Sequence, residues 1–447
     1  MGETLGKRSV LPIAHSSYWV ASALASQYLP GPALQALQLR RLRSMLAYVE
    51  QNVAFYRELW ARANVGPGSV RSLEDLRRFP VPNRRQIEED PSCIVSQEHR
   101  DLYLAGTGYI RRSGGSSGGP QLEIHSDEAS WSRLDGFYYR AFAALGFRPW
   151  DPLAYFWSAP FKKRTHNYLG IMPKVGVPAM LDEAAQLAIL EQNPGIWWYY
   201  HPTSLFPLAR KFPERLRKTA PARVICHAEL LPDSMRKVIE DVMGQPVFNQ
   251  YGTSEFNRMA WECPEKQGYH IDADSVIFEI VDDDGRPVRP GETGRVIATG
   301  LINRMMPLVR YELGDLVVAS DRRCACGRTL PMIERIEGRL KDVFVLPGGG
   351  KRTPREMLEP YASIPGVEQY RVTIASDSKV ELEVVTSEAG FSGVEAEAKK
   401  RFSALCPGVE LGVKRILDIE KAPTGKRVLI RNRLRAAANR TRPEFTL

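Results

Sequence analysis

The chain has few cysteines, no block of like charge and no long apolar run. Six cysteines in 447 residues are too few for a disulfide scaffold and point to a reducing compartment, the cytoplasm. No stretch reaches the roughly 18 apolar residues of a membrane span. The run Val10–Ala14 is too short for the apolar core of a secretion signal. The 61 Lys+Arg against 52 Asp+Glu leave a net charge of +9, spread along the chain. That balance favours anionic small molecules and does not make a nucleic-acid surface. Neither nucleic acid nor a membrane is therefore expected as a partner, and a homodimer is compatible with every feature noted. No internal repeat and no low-complexity tract occurs. The chain also lacks the Gly-Lys-Ser/Thr ending of a Walker loop, which excludes a P-loop nucleotidase.

What is present is ordinary globular material, 43% hydrophobic and 25% charged, long enough for two or three domains. Leu42, Met45, Leu46, Val49 and Val53 recur at three- and four-residue steps after Gly31-Pro32, which predicts a helix over 32–62. A short helix is expected near Ser72–Arg78, and an aromatic one from about Asp127 to Leu145. From 150 to 260, apolar runs (153–157, 196–200, 224–226) alternate with helical segments (204–211, 232–243). Such alternation predicts an α/β domain with parallel strands. From 276 the texture turns to β, with strands expected at 276–281, 294–299 and 315–320. The last hundred residues read as a small α+β unit. The fold class expected is α/β: a large domain with a β-rich closing section, and a small mobile α+β domain behind it.

Five stretches carry chemistry. Arg111-Arg112-Ser113-Gly114-Gly115-Ser116-Ser117-Gly118-Gly119-Pro120 is poor in side chains. It reads either as a backbone cradle for phosphate or as a flexible linker. Tyr251-Gly252-Thr253-Ser254-Glu255 is expected just after a strand over 246–249. It places an aromatic ring, two hydroxyls and a carboxylate in five residues. Asp315 follows Gly314 at an expected strand start and could accept both hydroxyls of a ribose. Arg339 lies in Gly338-Arg339-Leu340-Lys341-Asp342, and Lys426 in Pro423-Thr424-Gly425-Lys426. Each alone also reads as an ordinary turn.

In this order, the five resemble the adenylate-forming superfamily of acyl-CoA synthetases, luciferases and nonribosomal adenylation domains. Within it the chain is most similar to the phenylacetate–CoA ligase branch, which includes the CapK-type relatives. Pro202-Thr203-Ser204-Leu205 and His227-Ala228-Glu229-Leu230 match family segments as well. The resemblance implies that Ser113, Gly114, Gly115, Ser116, Ser117 and Gly118 grip the β- and γ-phosphates of ATP. It sets Ala228, Glu229 and Leu230 against adenine with Tyr251 and Gly252 close by. It assigns Thr253 and Ser254 to the phosphate side, Glu255 to Mg²⁺, and Asp315, assisted by Arg339, to the ribose. Lys426 would touch both the carboxylate and the α-phosphate. The domains implied are 1–338, a hinge at 339–342 and a lid at 343–447. Rotation of that lid would withdraw Lys426 and bring Gly348-Gly349-Gly350 to a pantetheine channel. Gly119 stands where the family loop usually carries Lys, leaving Arg111 or Arg112 to supply charge.

Cys263 and His270, with six residues between them, and Cys324-Ala325-Cys326 make a second constellation. Three thiolates and an imidazole form a tetrahedral zinc set with no open position; the alternative is unbound thiols and a surface histidine. The activity expected is conversion of a carboxylic acid and ATP to an acyl-adenylate, then transfer to coenzyme A. Transfer to an amine, a hydroxyl or a carrier-protein thiol is the alternative, and a non-catalytic nucleotide-binding relative the third. The aromatic content of roughly 155–204, where relatives line the acyl pocket, reads either as a site for an aryl or other flat acid or, for most of the rings, as core.

Overall fold

The computed structural model describes residues 11–112, 122–157, 167 and 170–434. Contacts divide the chain into two compact units, the first of 1–148, 250–313 and 317–335, the second of 149–249, 314–316 and 336–447.

The first unit opens with helices Leu11–Ser26, Gly31–Asn52 and Ala54–Arg62. The single helix expected over 32–62 is broken at Val53, whose extended backbone (φ −127°) buries its branched side chain. Leu34, Leu42, Met45, Leu46 and Val49 form the buried stripe of the first part. The segment near 72–78 is a 3-10 turn, Glu74–Arg78. Helix Leu11–Ser26 was not expected. It crosses helix Glu128–Ala143 so closely that a Cβ on Gly136 would lie 2.6 Å from the Trp19 carbonyl carbon. Between these helices and the second unit's start, β1 (Tyr109–Arg112) and β2 (Glu123–Ser126) pair antiparallel, Arg112 opposite Glu123.

The second unit carries β3 (Leu153–Trp157), β4 (Lys174–Pro178), β5 (Trp197–Tyr200) and β6 (Arg223–His227). β4, β3, β5 and β6 are parallel neighbours in that order, the arrangement expected from the alternating pattern. Phe156, Trp198 and Tyr200 are fully buried in its core. Period-two alternation sends Tyr155, Trp157 and Tyr199 to the opposite face, where Tyr155 and Tyr199 stack at 5.5 Å.

The chain then forms β7 (Val247–Thr253) and β8 (Asn257–Glu262), whose ends in the first unit make an irregular antiparallel hairpin. It continues through β9 (Tyr269–Ile271), β10 (Val276–Val281), β11 (Thr293–Gly300), β12 (Tyr311–Ala319) and β13 (Met332–Arg339). Tyr251–Thr253 therefore lie inside a strand rather than after one. Asp315 lies mid-strand rather than at a strand start, because β12 accommodates Gly314 at φ +70° without ending. Under these strands, Arg140 is completely buried. Its guanidinium pairs with Asp272 and with Asp274 (2.8 Å), and Trp261 Nε1 donates to Asp272 at 2.8 Å.

The C-terminal part holds the hairpin of β14 (Phe344–Val345) and β15 (Lys351–Arg352), with Gly348–Gly350 at its turn. A four-stranded sheet follows, of β16 (Gln369–Ile374), β17 (Lys379–Val385), β18 (Glu410–Ile416) and β19 (Ile430–Asn432), in the order β18-β17-β16-β19. Helix Pro354–Leu358 is started by a capping box of Thr353 and Glu356. This part shares a compact unit with 149–249, a different cut from the boundary expected at 339–342. The contacts responsible are specific. Phe206 and Tyr370 meet edge to face, Arg210 donates to the carbonyls of Ala362 and Ile364, and Glu359 accepts from the amides of Asp233 and Ser234. Among the described residues, no helix is long and apolar enough to cross a membrane.

Candidate functional site

In the second unit, the loop after β18 is tied down residue by residue. Ala422 N donates to Lys426 O and Gly425 N to Ala422 O, both at 2.7 Å, closing a tight turn. Gly425 has φ +78°, and a Cβ there would lie 2.2 Å from the Ala179 Cβ, so only glycine fits. On one side, Lys421 Nζ donates to Ala179 O at 3.0 Å. On the other, Arg427 is buried, donates to Glu183 at 2.7 Å and lies 3.4 Å from Asp418.

These ties aim Lys426, whose Nζ donates to Ala228 O at 2.9 Å. Ala228 holds a left-handed backbone (φ +64°), which turns that carbonyl out of line with β6. Burial pushes the Lys426 ammonium below its ordinary value; Glu229 opposes this and the charge of Arg339 adds to it. Glu229 is itself pushed up by burial. Its carboxylate accepts from Thr203 N at 3.0 Å and Thr203 Oγ1 at 2.9 Å, so it is committed to the start of helix Pro202–Lys211. Asp315 is buried and pairs with Arg339 at 2.9 Å. Lys426, Ala228, Glu229, Asp315 and Arg339, far apart in sequence, thus form one polar cluster. Leu230 closes its apolar side, 3.4 Å from where a Cβ on Gly338 would be.

The first unit holds the other expected residues. A Cβ on Gly252 would lie 2.4 Å from Asn257 O, so glycine lets β7 and β8 pack at the hairpin. The Thr253 hydroxyl accepts from Phe256 N at 3.2 Å, and Ser254 Oγ donates to Arg112 O at 2.7 Å. Ser254 thereby ties the Tyr251–Glu255 stretch to β1. Glu255 is half-buried in the field of Arg111 and Arg84. Burial pushes the Arg111 guanidinium down to about 10, opposed by Glu255. Its Nε and Nη1 have no hydrogen-bond partner among the described residues. Tyr251 is buried and meets Phe278 edge to face at 6.2 Å. Ser113, Gly114, Gly115, Ser116, Ser117, Gly118 and Gly119 lie outside the described residues.

Also in the first unit, Cys263, His270, Cys324 and Cys326 converge, with one ligand atom from each all within 4.8 Å of one another. Cys263 Sγ lies 3.5 Å from Cys324 Sγ, and Cys326 Sγ 3.3 Å from His270 Nε2. Burial pushes His270 down to about 4, leaving the neutral imidazole that binds metals, and pushes the Cys263 thiol up to about 12. A divalent cation would hold it as the thiolate against that burial. Donor type, number and closeness fit tetrahedral zinc.

Two groups escape sequence reading. Arg427 and its partners Glu183 and Asp418 brace Lys426 from its neighbouring residue, and an Arg directly after a Gly-Lys turn was their only signal. His201 directly follows β5, and His227, noted in sequence only as part of a family segment, ends the adjacent strand β6. Histidine at the same end of two consecutive apolar runs could have flagged them.

No family model matches the chain. It is 30% identical over 341 residues to the phenylacetate–coenzyme A ligase of Escherichia coli K12, covering 70% of this chain and 73% of that one. To the phenylacetate–coenzyme A ligase of Thermus thermophilus it is 29% identical over 389 residues, 83% and 85% of the two chains. Among solved structures, it superposes on a 2-hydroxyisobutyryl-CoA ligase in the postadenylation state with a TM-score of 0.76 at 21% identity, covering 93% of each chain.

Proposed function

The chain belongs to the phenylacetate–coenzyme A ligase family, and from that premise we propose that this AMP-forming acid ligase activates an aryl or other flat carboxylic acid and passes it to coenzyme A. The observation that carries the proposal is the docking of Lys426 on Ala228 O beside the Asp315–Arg339 pair.

An oxygen of the acid attacks the α-phosphorus of ATP. The bond to the bridging oxygen breaks, and pyrophosphate leaves with its electron pair. Negative charge builds on the α-phosphate oxygens. An ammonium already aimed and partly dehydrated, as Lys426 is, stabilises that charge more than it would in water. Asp315, held by Arg339, accepts from the ribose hydroxyls. The turned backbone of Ala228–Leu230 receives adenine, and Tyr251 and Gly252 are the first unit's contribution to nucleotide binding. Thr253 and Ser254 serve the phosphates, as does the Ser113–Gly118 loop. Mg²⁺ in such sites takes one or two carboxylates plus substrate phosphates, and Glu255 is the residue that would hold it. In the second half-reaction, the coenzyme A sulfur attacks the acyl carbon and AMP leaves. The 343–447 section acts as the lid, turning about 339–342 and exchanging Lys426 for the Gly348–Gly350 turn at the site.

Cys263, His270, Cys324 and Cys326 would hold zinc as a structural clasp, since protein fills all four positions. Thiolate ligands persist in a reducing compartment, so the cytoplasm remains the proposed location. The face of Tyr155 and Tyr199 supports a flat acid.

Acid-dependent pyrophosphate release, measured across a panel of aryl and aliphatic acids with and without coenzyme A, tests the reading. Release with an aryl acid, followed by thioester formation, supports it. Release followed by transfer only to amines, hydroxyls or a carrier thiol would replace coenzyme A. No release with any acid would overturn the activity proposed.

A further inference from the structure

Building on the acid-binding role proposed for the second unit, we infer that His201 is a specificity-determining residue that hydrogen-bonds a polar substituent on the acyl part of the acid, so that the substrate class is a hydroxylated or amino-substituted acid rather than a plain hydrocarbon one.

His201 is 1% exposed, and neither ring nitrogen has a hydrogen-bond partner among the described residues. Buried side-chain polar atoms are nearly always satisfied, and leaving both nitrogens of an imidazole unmet is costly. Its surroundings explain the position but not the nitrogens. Phe156 meets the ring edge to face at 4.9 Å and His227 does so at 4.8 Å. His227 in turn stacks on Tyr199 at 3.6 Å. These rings offer His201 flat walls.

The location connects the histidine to the chemistry. Ala228, the next residue after His227, is the one whose carbonyl receives Lys426. The charge of Lys426 is felt at His201, and together with burial it keeps the imidazole neutral. A neutral imidazole has one donor and one acceptor. A hydroxyl or amino group has the complementary pair and a plain methylene or aryl C–H has neither. An acid whose carboxylate lies at Lys426 and whose body extends along Tyr155 and Tyr199, the face whose parity His201 shares, would present such a substituent to His201. Sites built to hydrogen-bond a substrate hydroxyl reject the analogue that lacks it far more strongly than apolar pockets reject an extra group.

The test compares pyrophosphate release by the intact enzyme with phenylacetic acid, its ring-hydroxylated and ring-aminated forms, and mandelic acid. The wild type is expected to favour at least one substituted acid over the parent by roughly tenfold to a hundredfold in kcat/KM. His201→Leu is expected to bring that ratio to about one, and His201→Gln, which keeps a donor and an acceptor, to restore part of it. A histidine that merely held a buried water would lower all acids alike and leave the ratio standing, which would overturn the assignment. So would a wild-type enzyme that prefers the parent to every substituted acid, a result needing no variant to fold. Release that is robust but indifferent to the substituent removes His201 alone; no release with any acid removes the acid-binding reading with it.

Discussion

Gly425→Ala should disable the first half-reaction by a single methyl group. The new Cβ would sit 2.2 Å from the Ala179 Cβ and 3.3 Å from that residue's Cα and carbonyl carbon, on a backbone at φ +78°. The left-handed conformation costs a non-glycine residue about 1–2 kcal/mol, and overpacking a tight site about 1–3 kcal/mol. Together these oppose the docked loop by roughly 2–5 kcal/mol, thirtyfold to several thousandfold. The loop's escape is to move away from Ala179, carrying Lys426 off Ala228 O, and a displacement of about 1 Å at a reacting group already costs on the order of a hundredfold. Acid-dependent pyrophosphate–ATP exchange reads this loss. Thioester formation from a synthetic acyl-adenylate, in which the proposed mechanism gives Lys426 no part, should change little. The double variant Gly425→Ala/Ala179→Gly removes the methyl–methyl collision and leaves the backbone strain. It should recover the collision's share, roughly fivefold to a hundredfold. Wild-type exchange by Gly425→Ala would refute the idea that this loop must dock, and a double variant no better than the single would refute the collision.

Lys426→Ala should lower acid-dependent pyrophosphate release by at least about a hundredfold to a thousandfold, with the melting temperature little changed; release at the wild-type rate would remove the lysine from the mechanism. Asp315→Ala should raise the KM for ATP about tenfold or more through loss of charge-assisted ribose contacts, and an unchanged KM would count against the ribose assignment. Metal analysis of the purified protein should find about one zinc per chain, lost along with several degrees of melting temperature in Cys324→Ser; a stable wild type without metal would refute the site. Arg140→Met should cost about 3–5 kcal/mol in denaturant unfolding at pH 7, since two buried carboxylates lose their partner. Burial alone would raise the Asp274 carboxyl, but Arg140, the Ser26 hydroxyl and Arg41 together outweigh it and hold it below the usual value. The stability that Asp274 supplies is therefore present above its unfolded pKa and lost as pH falls through the lower folded value. The gap between wild type and variant should narrow below pH about 4, and a gap that widened there would contradict this pairing.

Part of the candidate site was legible because a glycine marks its residues locally, in a turn at Gly425 and inside strands at Gly252 and Gly314. Gly425-Lys426, Gly314-Asp315 and Gly252-Thr253 each pair a permissive backbone with a functional side chain, and that pairing is visible in sequence. Their order carried the family. What stayed hidden depends on neighbours distant in the chain. Arg427 means little until Glu183 is beside it, and the burial of Arg140 requires Asp272 and Asp274 from another segment. His201 looked like a residue between an apolar run and a proline; only the structure shows that its ring nitrogens go unmet. Tyr251–Thr253 and Asp315 were displaced from turns into strands because glycine tells of close approach or positive φ, and both occur inside a twisted strand. Helix Leu11–Ser26 was missed for a similar reason: its partner is the aromatic helix more than a hundred residues on, and the notch at Gly136 that receives it is not a local signal.

The position of Arg427 gives the enzyme a clock. Lys426 and Arg427 are consecutive, so the lid movement proposed above, in lifting the lysine from Ala228, also draws the guanidinium away from Glu183, while Asp418 travels with it. The two departures are one event, and its barrier includes rehydrating a buried ion pair. Every turnover would then include the opening of that pair, whatever the speed of either bond-making step, and because the pair is buried, salt would screen it little.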